Sequence, residues 1–157
     1  METQARLIVD VARLEEDGER FTGELPVETL ELGESQVFSL AGGLSYDLFI
    51  QELGTELLVR GTLKLPLNCV CVRCGGDFTA VAQDPKFVTS IEISDSTDFL
   101  DLTDEVREAI ILALPGYPVC SDTCKGLCMT GGKDLNKGEC TCHQAGNDRR
   151  WAALEGL

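Results

Sequence analysis

The sequence predicts an α+β fold: an antiparallel, strand-rich sheet or small partly open barrel, one helix, and a Cys-rich C-terminal segment. Three observations predict it. Apolar residues alternate with polar ones in short runs over the first hundred positions, a later stretch carries helical spacing, and all eight cysteines fall in two islands after residue 68. A period of two places every other side chain on one face of a strand, whereas a period near 3.6 lines one face of a helix.

The strands come first along the chain. Leu7, Val9 and Val11 alternate with Arg6, Ile8 and Asp10, and Leu44, Tyr46, Leu48 and Ile50 alternate with Ser45, Asp47, Phe49 and Gln51. Between Leu57 and Leu67, the residues Leu57, Val59, Gly61, Leu63, Leu65 and Leu67 share a face, with Gly61 expected at a bulge or bend. Phe78, Ala80 and Ala82 make the next run, and Phe87, Thr89, Ile91 and Ile93 another. Gly42-Gly43, Gly54, Gly75-Gly76 and Asp84-Pro85 are turn signals expected to separate these runs. Short strands at such spacing favour antiparallel pairing.

The helix is expected over about 102–114. Asp101 or Thr103 can cap it, Asp104 and Glu105 place negative charge in its first turn, and Val106, Ala109, Ile110 and Ala113 repeat at helical spacing until Pro115 stops it. Beyond Pro115 the chain turns to Gly, Asp, Lys and Cys with few large apolar residues, so burial alone cannot order it. The organisation read from this is a strand-rich unit over 1–114 ending in the helix, a Cys-rich segment over 115–143 packed on 69–76, and a tail over 144–157. Trp151 and Leu154 mark that tail as mobile or as a short terminal helix.

The chain has 157 residues and a 43% apolar composition, enough to bury a real core. No apolar run approaches the roughly 18 residues of a membrane span, and Met1-Glu2-Thr3-Gln4 lacks the marks of a signal peptide. A cytoplasmic protein is therefore expected, in a compartment where thiols stay reduced. The formal net charge of −14 makes naked nucleic acid a poor first partner, since phosphate binding relies on Lys and Arg releasing counterions. An acidic surface favours basic proteins instead.

The cysteine spacings point to metal. Cys71-x2-Cys74-Gly75-Gly76 has the form of a zinc knuckle at a hairpin tip, and Cys120-x3-Cys124 offers a second pair. Cys71, Cys74, Cys120 and Cys124 together make a closed, four-thiolate, structural zinc site. Cys128, Cys140 and Cys142, with or without His143, form the candidate second site, so that one ion or two are expected. Cys69 reads as a buried core thiol or a spare ligand, with core favoured.

These motifs carry a resemblance. The string Cys71-Val-Arg-Cys74-Gly75, then Glu108-Ala-Ile-Ile-Leu-Ala-Leu-Pro115, Pro118-Val-Cys120-x3-Cys124-Lys-Gly-Leu-Cys128, Asp134-Leu-Asn136 and Cys140-x-Cys142 resembles the DUF177, or YceD, family of large ribosomal RNA subunit accumulation proteins. The resemblance implies a factor needed for normal levels of large-subunit ribosomal RNA, through assembly of the subunit, and the cysteine pattern without a catalytic constellation reads as non-catalytic. It also implies a basic large-subunit ribosomal protein, or an assembly intermediate containing one, as partner. The chain departs from the family at Gly131, where many members carry a further Cys, which leaves the second ligand set one short unless His143 completes it.

Other readings fit less well. A direct RNA-binding protein would use Arg73, Lys125, Lys133 and Lys137, which gather near the cysteines; cations there also offset thiolate charge. An iron–sulfur protein meets Cys120-x3-Cys124-x3-Cys128, one residue longer than the C-x3-C-x2-C of radical enzymes, in a chain too short for their barrel. A thiol redox protein would need a βαβ frame around Cys71 and Cys74. Hydrolysis is poorly served by a single histidine, His143, and no small-molecule substrate or catalytic residue is expected.

Overall fold

The computed structural model describes residues 5–142, and each sequence run finds a place in it. The strands are β1 (Ile8–Asp10), β2 (Glu19–Leu25), β3 (Phe38–Leu40), β4 (Leu44–Leu53), β5 (Glu56–Val70), β6 (Asp77–Glu92) and β7 (Phe99–Asp101), followed by helix α1 (Thr103–Leu112). All pairings are antiparallel. β5 is the spine of a five-stranded sheet: β6 runs along one edge of it, while β4 and then β3 share the other, with β2 beyond β4. The sheet does not close into a barrel, and β1 pairs with β7 as a separate two-stranded ribbon.

Alternation sets the core. Leu57, Val59, Leu63, Leu65 and Leu67 of β5 are buried together with Leu44, Leu48 and Ile50 of β4. The ribbon and helix add Val9, Leu102, Val106 and Ile110 to the same cluster, with Ala109 and Ala113 packed against it. Each fully buried Leu, Ile or Val stabilises the fold by roughly 1.5–3 kcal/mol relative to exposure. The N-cap is Leu102 rather than Asp101 or Thr103 and has no side-chain cap bond; Asp101, one residue earlier, accepts the Thr103 N–H at 3.0 Å, and the Thr103 hydroxyl accepts the Leu7 N–H at 2.9 Å. Arg107 donates to the Leu30 carbonyl at 2.6 Å, tying the helix to the buried 3-10 turn Val27–Leu30. Among the described residues no helix is long and apolar enough to cross a membrane.

Two expectations change. Asp84-Pro85 is no turn: β6 runs through it as one strand with a bulge, since Gly61 faces Phe87 while Leu63 faces Asp84. The extra residue lies on β6, where Pro85 has no N–H to give, and the Lys86 N–H bonds the Asp84 carboxylate at 3.1 Å instead. The bulge also explains why the inward positions switch from Ala80 and Ala82 to Phe87, Thr89 and Ile91; one inserted residue restores the same face. Gly61 is therefore a close-approach residue on the partner strand rather than the bulged one. β2, β3 and β7 have no counterpart in the alternation, because β2 is mostly exposed (Leu25 is its one buried residue) and the other two are three residues long.

A β-carbon at Gly61 would overlap the Asp47 carbonyl on β4. Gly61→Ala should therefore destabilise the sheet by about 1–3 kcal/mol. Urea unfolding would read this as a lowered midpoint at unchanged slope.

Candidate metal centre

The tip of the β5–β6 hairpin is built by main-chain geometry. The Cys71 N–H donates to the Gly76 carbonyl and the Gly75 N–H to the Cys71 carbonyl, both at 2.8 Å. Gly75 has φ +72°, a left-handed conformation that suits a residue without a β-carbon. This loop turns Cys71 and Cys74 toward each other. The segment after α1 docks on it: Val72 donates to the Pro118 carbonyl at 3.0 Å, and Leu127 to the Arg73 carbonyl at 3.1 Å. The Arg73 guanidinium adds a bond to the Asp122 carbonyl at 3.2 Å.

The docking brings four sulfurs together. Cys71 and Cys124 stand 3.8 Å apart, Cys74 and Cys120 also 3.8 Å, and all four sulfurs lie within 4.8 Å of one another. A tetrahedral ion with metal–sulfur bonds of about 2.3 Å sets its ligands about 3.8 Å apart, so the group fits such an ion. Cys71 and Cys124 are buried, Cys74 is half-buried and Cys120 is exposed. None of the eight cysteines is in a disulfide.

Electrostatics favours a cation here. The Cys74 amide draws the Cys71 thiol down to about 6 against the cost of burial, while hydrogen bonding to Cys124 pushes Cys120 up to about 12. Four clustered thiols ionise together only when a positive charge sits among them.

A second group stands beside the first. The sulfurs of Cys128, Cys140 and Cys142 lie within 4.8 Å of one another, with Cys128 and Cys142 at 3.3 Å. His143 lies outside the described residues, as do Trp151 and Leu154. Cys69 is absent from both groups: it is 2% exposed in the core, where burial pushes its thiol up.

Asn136 has a role that sequence reasoning left unassigned. Its side-chain amide donates to the Cys124 sulfur at 3.3 Å and to Asp134 at 2.9 Å, while its carbonyl oxygen accepts the Lys125 N–H at 2.9 Å. One side chain thus fixes both the loop backbone and a ligand sulfur. The signal was Asp134 and Asn136, two turn-forming side chains ten and twelve residues beyond Cys124. Of the basic residues, Arg73 is occupied with loop carbonyls and Lys133 donates to the Glu139 carbonyl at 2.7 Å, whereas Lys125 is exposed.

Asn136→Ala should lower metal affinity by about 10–100-fold, the usual cost of losing a partner behind a ligand. Competition with a chromogenic chelator would measure it; unchanged affinity would reduce Asn136 to a loop-shaping residue.

Comparison with known proteins places this arrangement. The family described as large ribosomal RNA subunit accumulation protein YceD matches residues 79–157, which include α1 and the Cys120–Cys142 segment but not Cys71 or Cys74. An uncharacterized protein of Mycobacterium tuberculosis and one of Mycobacterium bovis are each 30% identical over 125 residues, covering 71% of this chain and 60% of the relative. The chain thus spans 60% of the length of these curated relatives. A protein of Arabidopsis thaliana named large ribosomal RNA subunit accumulation protein YCED homolog 1, chloroplastic, is 29% identical over 58 residues, which is 37% of this chain and 18% of that protein. No solved structure matches the chain. The match over the half of the chain that holds the helix and five of the eight cysteines makes this protein a member of the YceD family of large ribosomal RNA subunit accumulation proteins.

Proposed function

We propose that this chain is a non-catalytic, cytoplasmic accessory factor for accumulation of large-subunit ribosomal RNA, acting in assembly of the subunit and stapled by structural zinc. The ribosomal role rests on family membership and on the printed name of the Arabidopsis relative. The zinc reading rests on one observation: four sulfurs, all from this chain, converge at tetrahedral spacing from two segments. An ion held so has its four positions filled by protein, which suits a staple rather than a reaction centre. Zinc is preferred over an iron–sulfur cluster because two pairs at these spacings match a mononuclear thiolate site.

The partner is a basic large-subunit ribosomal protein, or an assembly intermediate containing one. A charge of −14 attracts basic surfaces and repels RNA phosphates at a distance. Any RNA contact is local, through Lys125 and whichever donors Arg73 retains. Direct RNA binding is the second reading, favoured by the placement of Arg73, Lys125, Lys133 and Lys137 around the cysteine groups.

Cys71→Ser should release bound zinc and raise hydrogen exchange after Pro115, while the sheet keeps its protection on its own apolar face. Exchange rising uniformly along the chain would show that the segment is not separately stapled. For the partner, titration should show tighter association with a basic large-subunit ribosomal protein than with naked ribosomal RNA, weakening as salt screens the attraction. Tight binding to bare RNA with no affinity for ribosomal proteins would overturn the partner assignment and favour the second reading.

A further inference from the structure

Helix α1 carries an outward stripe that the described residues leave uncovered. On a helix, positions four, seven and eight apart fall on one face. Here they are Asp104, Glu108, Ile111 and Leu112, and all four are exposed. The opposite face holds Val106 and Ile110, which are buried in the core. Leu112 is 87% exposed, and Tyr117, past the stop at Pro115, is 86% exposed. Pro118 follows Tyr117, and its carbonyl accepts the N–H of Val72, itself exposed, at 3.0 Å. Exposed apolar residues therefore follow the chain from the end of the helix to the hairpin tip. Single exposed apolar side chains need no explanation, but a run of them rimmed by charge marks a contact surface.

The charge on this stripe has one sign. Asp104 sits in the first turn, where the helix dipole accounts for it, but Glu108 lies beyond that turn and has no such reason. Neither forms an ion pair among the described residues. The two cations that line a small polar cavity with Asp104 are engaged elsewhere. Arg107 donates to the Leu30 carbonyl at 2.6 Å and stands 3.9 Å from Glu31, and Arg6 pairs with Asp101 at 3.4 Å. Such a face repels RNA phosphates and anionic lipid. A second copy docked on it about a two-fold axis would bring two acidic stripes together.

We propose that the outward face of α1 is the docking surface for a basic, amphipathic segment of a protein partner. Lys or Arg side chains of that segment reach Asp104 and Glu108, and its apolar side chains cover Leu112 and Tyr117. Asp104 to Leu112 spans about 12 Å, roughly two turns of a partner helix laid alongside. The apolar end supplies the desolvated anchor, while the acidic end supplies rate and register. This rests on the reading of a basic ribosomal partner and assigns that partner a place on the chain.

Binding of the reduced full chain to purified, RNA-free basic proteins of the large subunit tests it, with naked large-subunit ribosomal RNA as a second ligand. Leu112→Ala should weaken the protein complex about tenfold or more, as truncation of an anchor residue does. Glu108→Gln should slow association and flatten its salt dependence. Both residues are exposed, so circular dichroism and metal content should match the wild type. Val88→Ala, on the outward face of β6 beside Arg60, should bind as the wild type does. Wild-type binding that neither Leu112→Ala nor Glu108→Gln changes would overturn this surface and leave the partner reading standing. No wild-type binding to any of these proteins would overturn both. A dimer of this chain that Leu112→Ala dissociates, at unchanged partner affinity, would give the face to a second copy and also overturn the proposal.

Discussion

The constraint on which the Cys-rich half depends is the crowding of four thiols at the β5–β6 tip. Sulfurs 3.8 Å apart cannot all carry charge without a cation among them: the Cys71 thiol is drawn toward ionisation and the Cys120 thiol is pushed away from it. A divalent ion held there would remove that conflict and turn repulsion into four bonds. It would join the pair from the hairpin and the pair from the post-helical loop into one unit. Main-chain bonds from Val72 to Pro118 and from Leu127 to Arg73 align the two segments, but such bonds contribute only about 0.5–1.5 kcal/mol each.

The sheet works as a lever for this site. β5 and β6 are fifteen and sixteen residues long, and their outer ends carry the knuckle beyond the apolar core. The bulge at Asp84–Phe87 keeps the inward face of β6 continuous across its length, so the hairpin stays anchored by Phe87 and Ala82 on either side. The helix, resting on β5 and β6, delivers Pro115 and the ligand loop to the same end. Burial thus fixes the direction of the hairpin, and main-chain hydrogen bonds at Val72 and Arg73 hold the segment that docks on it.

Charge is distributed to match. The chain is strongly acidic overall, and in the Cys-rich segments Arg73, Lys125, Lys133 and Lys137 are offset by Asp77, Asp122, Asp134 and Glu139. Arg73 and Lys133 are engaged with loop carbonyls, so they serve the local fold as well as the potential around the thiolates.

By itself the sequence determined the alternating strands of β4 and β5, the helix and its stop at Pro115, and the grouping of Cys71, Cys74, Cys120 and Cys124. Each is a local or chemical regularity: a period of two, a period near 3.6, or thiols at ligand spacing. The tertiary structure alone decided the rest. Asp84-Pro85 looks like a turn in isolation, and only the unbroken β5 beside it makes it a bulge. β2 carries no apolar period because it lies at a sheet edge, where pairing with β4 and not burial defines it. Cys69 and Cys71 share a strand parity, yet the core takes the first and the knuckle the second, because β5 ends at Val70 between them.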